Sequence, residues 1–235
     1  MIAAMLQGFF IAIVAGCLML VVWAMHFAVP RREHRLAAGA ILVAWLIGTA
    51  ELAHAGALTP SPEHPPLVAL LALIAGIAFT AVALSPMGRN LATVISPAWV
   101  VGFQGFRLPV ELFLWLAVAK GLAPPLMSFG GRNFDIITGV MACVIAPVIA
   151  RRPAAKPTLL LFHVIGLALL ANVVIHAVLA QPGPLQQIYP EPPLTFIASW
   201  PYVWLPALLV PLALGGHVLG LRQAMMKLPK PGPAA

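Results

Sequence analysis

The run from Leu67 to Leu84 contains no charged residue, and only Gly76 and Thr80 interrupt its aliphatic and aromatic side chains. A half-buried strand alternates apolar and polar residues, and a surface helix keeps one polar stripe. This run does neither, so every face of it must meet an apolar surrounding. Six further stretches share the character: with this one they cover about 3–28, 36–57, 67–85, 94–120, 135–150, 158–180 and 201–221. Most approach the roughly 20 residues that carry an α-helix across about 30 Å of hydrocarbon. Composition excludes the soluble alternative, since charged residues make up 8% and hydrophobic residues 62%, against about 25% charged in soluble domains. Transmembrane β-strands would alternate over about ten residues, which these runs do not. The sequence predicts an all-α fold: a seven-transmembrane-helix bundle forming a single membrane domain over residues 1–222, then a short cytoplasmic tail, 223–235.

The 13 Lys and Arg against 6 Asp and Glu would suggest nucleic acid in a soluble chain. Here their positions predict topology instead. Arg31, Arg32, Arg35, Arg89, Arg151, Arg152, Lys156, Arg222, Lys227 and Lys230 fall on one side of the predicted spans, and only Lys120 and Arg132 on the other. The positive-inside rule puts the N-terminus outside and the C-terminus in the cytoplasm of a multi-pass protein. The expected location is the bacterial cytoplasmic (inner) membrane, with the lipid bilayer as partner, no nucleic acid, and an oligomer or complex left open. The first stretch is too long, and lacks the basic flank, for a secretory signal, and reads as a span. Trp99, Trp115, Trp200, Tyr202 and Trp204 include expected interface anchors. Cys17 and Cys143 lie inside apolar runs and read as packing thiols. The proline-rich segment 181–200 is expected to cap the outer mouth.

Ionisable residues inside a span cost roughly 2.5–3.5 kcal/mol at the helix centre and normally face the bundle interior. In the fourth stretch, Gln104, Arg107 and Glu111 lie at i, i+3 and i+7, on one stripe within about 60°. Arg107 and Glu111 are spaced to pair along the helix, and Pro109 between them removes a backbone donor. In the second stretch, Glu51 and His54 have the Glu-x-x-His spacing of metal-binding bundles, and His176 is positioned to complete a mononuclear metal shell. Asn172 shares the His176 face. His26, His163 and His217 form an expected inner layer, with His163 about 20 Å along the helix axis from His176.

The segment MSFGGRNFDIITG, 127–139, precedes a stretch of about 16 residues, some 24 Å of helix. That shortness predicts that Arg132, Asn133 and Asp135 descend to membrane depth, as the wall of a site or as an ordinary loop. Irregular backbone there requires protein or a water-filled cavity around it. Asn133 or Asp135 is placed to cap the helix that follows, and an Arg132–Asp135 contact is the expected local pairing.

The elements GFQGFRLPVELFL, SFGGRNFDIITG and WLPALLVPLALGGHVLGLRQ resemble, in the same order, a group of bacterial polytopic integral membrane proteins with no established activity. The likeness spans residues 99–222. It implies Gln104, Arg107, Glu111, Arg132, Asn133, Asp135 and His217 as positions to test, and no substrate. The lysines, Lys120, Lys156, Lys227 and Lys230, leave none within the last span for a retinal Schiff base, which separates the chain from microbial rhodopsins. The paired-histidine motif of ceramidase-like hydrolases is absent.

Three functions remain open on the sequence. The first is binding or transport of a small polar or anionic ligand or ion at Gln104, Arg107, Glu111, Arg132, Asn133, Asp135 and Asn172. The second is a metal-dependent intramembrane enzyme using a single transition metal on Glu51, His54 and His176. The third is a b-haem or quinone-interacting electron-transfer subunit, or a structural subunit of a membrane complex.

Overall fold

The computed structural model of the chain describes residues 2–151 and 156–226. Arg152, Lys227, Lys230 and the rest of the predicted tail from 227 onward lie outside the described residues. Among the described residues six helices, or helix sets, are long and apolar enough to cross a membrane, and a shorter apolar helix accompanies them. Among the described residues there is no β-strand, only an isolated bridge between Ser61 and His64.

Helix α1 spans Ile2–Ala28, α2 Arg32–His54 and α3 Leu67–Leu84. Helix α2 begins at Arg32 rather than 36, because the Arg-Glu-His-Arg segment ahead of the apolar run also winds into the helix. A short helix α4, Pro86–Val94, was not anticipated by the apolar pattern. It starts where Ser85 Oγ accepts the Gly88 N–H at 3.2 Å, with Pro86 in the first helical turn. The same Ser-Pro signal recurs at Ser96-Pro97 and starts α5, Pro97–Phe103. The span continues through a 3-10 turn, Gln104–Phe106, into α6, Arg107–Ala119. Pro109 has no N–H to offer the carbonyl of Gly105 four residues back, and the tightened turn sits at that point.

Helix α7 is Ile136–Arg151 and α8 is Lys156–Ala180. The last span opens as a π-helical turn, Leu205–Leu209, and continues as α9, Val210–Met225. It therefore runs beyond the predicted boundary at 222. Pro211 deprives the Ala207 carbonyl of its helical donor, and the Trp45 indole N–H supplies one at 2.9 Å. Reciprocally, the Trp204 indole donates to the Leu46 carbonyl at 3.2 Å. These two bonds clasp α2 to the last span.

Small residues set the remaining approaches. A Cβ on Gly215 would lie 3.2 Å from Phe79 Cβ, so α9 sits close on α3; one on Gly139 would lie 2.9 Å from Leu108 Cγ, so α7 sits close on α6. Phe10, Phe113 and Tyr202 form a buried aromatic cluster, so Tyr202 is a core residue rather than an interface anchor. Leu194, Phe196 and Ile197 of the segment after α8 are buried in the same core. Cys17 is buried as expected, but Cys143 is exposed.

The ends of α1, α3 and α9 gather around α4. Arg35 donates to the His26 and Val29 carbonyls at 3.2 and 3.1 Å, Asn90 to the Ala28 carbonyl, and Arg222 to the Ala83 and Ser85 carbonyls at 2.7 Å each. Arginines predicted from topology thus also satisfy carbonyls left open at helix C-termini.

Candidate functional site

The stripe predicted on the fourth stretch is buried: Gln104, Arg107 and Glu111 are 0%, 2% and 2% exposed. Its partners differ from those expected. Arg107 does not pair with Glu111 along the helix; its Nη1 lies 2.5 Å from Asp135 Oδ1. Glu111 Oε1 instead accepts the Asn133 side-chain N–H at 2.7 Å. Intrahelical spacing set which residues share a face, but the opposing segment offered better-placed partners.

That segment is the predicted GGRNFD stretch. Asn133 also donates to the Met127 carbonyl at 3.0 Å, and its Oδ1 accepts the Asp135 N–H at 3.0 Å. Asp135 Oδ1 further accepts the Thr138 hydroxyl at 3.4 Å. Arg107 stands midway along the Pro97–Ala119 span, so its bond to Asp135 draws this irregular backbone against the middle of a helix. The fold of the stretch depends on Gly131, where a Cβ would lie 2.2 Å from the Pro125 carbonyl oxygen. Arg132, by contrast, is exposed, and its carbonyl accepts the Asn172 side-chain N–H at 2.7 Å. The expected Arg132–Asp135 contact does not form, because Arg107 takes the carboxylate.

The polar network continues toward α8 and α9. Arg107 Nη1 reaches the Gly166 carbonyl at 3.5 Å. A Cβ on Gly166 would fall 2.2 Å from His217 Cε1, and one on Gly220 would fall 2.0 Å from His163 Nε2. The two imidazoles meet at 3.0 Å between their Nδ1 atoms. Each histidine of one helix therefore fills the space left by a glycine of the other. The sequence carries this arrangement twice, as His163-Val-Ile-Gly166 and His217-Val-Leu-Gly220, an i, i+3 repeat that the positions of ionisable residues alone do not reveal. Gln104 follows the same rule: its Nε2 donates to the Ala213 carbonyl at 3.3 Å over Gly216, where a Cβ would lie 2.4 Å away.

Other candidates separate from this cluster. His26 is exposed against Phe27 and does not join His163 and His217. Glu51 and His54 are exposed, and His54 stacks on Trp200 with centroids 5.2 Å apart. His176 Nδ1 bonds the Asn172 carbonyl on its own helix at 2.8 Å. Among the described residues no three His, Cys, Asp or Glu converge as a metal shell, so the expected Glu51–His54–His176 set is not assembled. Similar depth along different helices did not place those side chains on facing surfaces. The close His163–His217 bond, with both rings against glycine backbone, likewise leaves no room for a porphyrin between them.

A cavity of about 80 Å³ opens between α3, α6, α8 and the last span. Its walls are apolar, including Val68, Val174 and Leu209, while Arg107, Glu111, Asn133, Asp135 and Gln181 also line it. Gln181 was missed because it lies just beyond the apolar run of α8. Among the described residues, Arg107 Nε and Nη2, Glu111 Oε2 and Gln181 Oε1 are buried without a hydrogen-bond partner in the protein. At about 10–15 Å³ for each water-sized sphere, the cavity takes a small solute.

A family model described as Domain of unknown function (DUF8737) matches residues 64–225, more than half of the chain. The chain belongs to this family. No curated protein and no solved structure matches it. The DUF8737 region contains the whole polar cluster and the segment bearing Gln181, whereas Glu51, His54 and His26 fall outside it.

Proposed function

We propose that the chain is a multi-pass membrane protein that binds a small polar solute in this cavity and passes it across the bilayer. The reading includes a bacterial cytoplasmic membrane, with the N-terminus outside and the arginine-rich end of the bundle in the cytoplasm. The observation that carries it is the set of buried, unpaired polar atoms on Arg107, Glu111 and Gln181, all cavity-lining residues in a mostly apolar wall. A buried donor or acceptor left unpaired costs about 1–3 kcal/mol, which a bound solute recovers. The site shares the fourth span's 3-10 turn and the last span's π-helical turn, two places where helix geometry is already relaxed.

The test is solute flux into proteoliposomes followed by light scattering, with urea, glycine, ammonium and formate as probes. At least one is expected to enter faster than into protein-free liposomes, and Ala72→Trp, which fills the cavity, is expected to abolish the difference. Equal rates for all four probes with and without protein would overturn the reading.

A further inference from the structure

We infer that the protein holds one anionic diacyl phospholipid, with an acyl chain in a second, larger cavity and the phosphate on Arg35 and Arg222. This goes beyond the solute reading and uses neither its cavity nor its residues. The second cavity, about 500 Å³, is lined by apolar residues throughout. Ile41 of α2 and Ile74 of α3 both line it and are 71% and 47% exposed, so it opens sideways between membrane-spanning helices. Left empty, such a space forfeits dispersion contacts on every wall. The hydrocarbon chains of the bilayer are what reach it from that side.

The end of the cavity decides which lipid. On α2 the lining stripe begins at Ala38 and runs through Ile41 to Trp45; three residues before it stands Arg35. On α9 the lining stripe runs from Leu212 to Leu219; three residues after it stands Arg222. Both guanidinium groups are fixed at the rim. Arg35 Nη1 donates to the Val29 carbonyl at 3.1 Å and Arg222 Nη1 to the Ala83 carbonyl at 2.7 Å, and Val29 and Ala83 themselves line the cavity. The side-chain bonds of these arginines all use Nη1, which leaves Nε and Nη2 of each to meet a phosphate. Among the described residues Arg107–Asp135 is the one ion pair, so neither rim arginine has a carboxylate partner. Glu33, the acid at the start of α2, lies about 140° around that helix from Ala38. Surplus positive charge above an apolar slot favours a head of net negative charge over a zwitterionic head, whose ammonium would stand among arginines.

The test is native mass spectrometry of the delipidated full chain, titrated with phosphatidylglycerol or with phosphatidylcholine of identical chains. One phosphatidylglycerol is expected to bind at least about tenfold tighter than phosphatidylcholine, since each arginine contributes about fivefold. Arg35→Gln and Arg222→Gln are each expected to reduce that preference about fivefold. Arg89→Gln is expected to leave it unchanged, because Arg89 lies about 160–200° around α4 from the cavity-lining Met87 and Leu91. The rim arginines also serve helix-end carbonyls, so a variant that leaves both in place is needed should their substitution prevent folding. Ala78→Trp fills the cavity and is expected to abolish most phosphatidylglycerol binding. Equal binding of the two lipids by the unaltered chain would overturn the head-group selection. Binding that survives Ala78→Trp, or glycerophosphoglycerol without chains binding as tightly as the whole lipid, would overturn the role of the cavity. An equal loss in Arg89→Gln would reduce the effect to general surface charge, and a lipid-free dimer lost in Ala78→Trp would put a second copy of the chain in the cavity; either result overturns the proposal.

Discussion

Two cavities occupy opposite halves of the bundle, and the larger is the chemically poorer. About 500 Å³ lies between the later half of α1, the early half of α2, the end of α3, α4 and α9, walled by residues such as Leu20, Ile41, Ile74, Leu91 and Leu219. The smaller cavity, about 80 Å³, carries nearly all the buried charge. The volume of the first follows from the seating of α2, which buries only Leu46 and Thr49 and is tied by two tryptophan bonds to the last span and by Arg35 to the end of α1. The chemistry of the second follows from the close approach of the segment carrying Asn133 and Asp135 to α6, where they meet Glu111 and Arg107; beside it, glycines let Gln104, His163 and His217 lie between helices. Space alone therefore does not mark the site; buried polar groups held at short range do.

If that contrast is right, the largest loss comes from breaking the pair beneath the small cavity. Arg107→Ala or Asp135→Ala leaves a buried charge without its partner and is expected to cost about 3–5 kcal/mol. Replacing both together, Arg107→Met with Asp135→Leu, should recover most of that stability. Unfolding of the purified variants in mixed micelles measures it. Single variants no less stable than the double variant would remove the ion pair from the comparison.

The next effect tests the glycine sockets. Gly220→Ala would place its Cβ against His163, and overpacking of this kind costs about 1–3 kcal/mol. Combining it with His163→Ala should reduce the penalty, so a double-mutant cycle reads the coupling directly. An additive pair would mean that the histidine and glycine do not share one space.

These two regions were unequally legible in the sequence. Charge scarcity and run length identified the long apolar helices but not α4, and the 104/107/111 stripe was visible from periodicity alone. The short length of α7 drew attention to the segment carrying Asn133 and Asp135, whose side chains meet Glu111 and Arg107 of α6. The pairing was not legible, because an i, i+4 interval says which side chains share a face and nothing about what faces them. Glu51, His54 and His176 fail for the same reason: matching depth on separate helices does not bring side chains together. The reciprocal His-x-x-Gly spacing was present in the chain, but it has meaning only once α8 and α9 are known to run antiparallel in contact. The large apolar cavity left no mark at all, since its lining looks like any lipid-facing run.

A smaller change sharpens the account of α2. Trp45→Phe keeps an aromatic ring, smaller than the indole, and removes the N–H that serves the Ala207 carbonyl. Interhelical hydrogen bonds within membranes average about 0.6 kcal/mol and reach about 1.7. Because Pro211 leaves that carbonyl without its helical donor, the expected loss is toward the upper end, about 1–1.7 kcal/mol, read by the same unfolding assay. A loss below about 0.3 kcal/mol would show that the clasp does not hold α2 in place.

The smallest effect is expected inside the large cavity itself. Ala78 lines it, and Ala78→Leu adds apolar atoms where the surrounding helices are loosely seated, so no buried polar group is disturbed. Filling a cavity commonly changes stability by about 0.5–2 kcal/mol in the favourable direction. In a bilayer the gain should sit at the low end, because the space is walled by residues that lipid chains solvate nearly as well as protein does. Solute flux into proteoliposomes should stay unchanged in Ala78→Leu, since the substitution lies in the half of α3 away from Val68 and Ala72. A loss of solute flux there, with stability preserved, would show that the two cavities communicate through α3 and that the division between room and chemistry is not the one the packing implies.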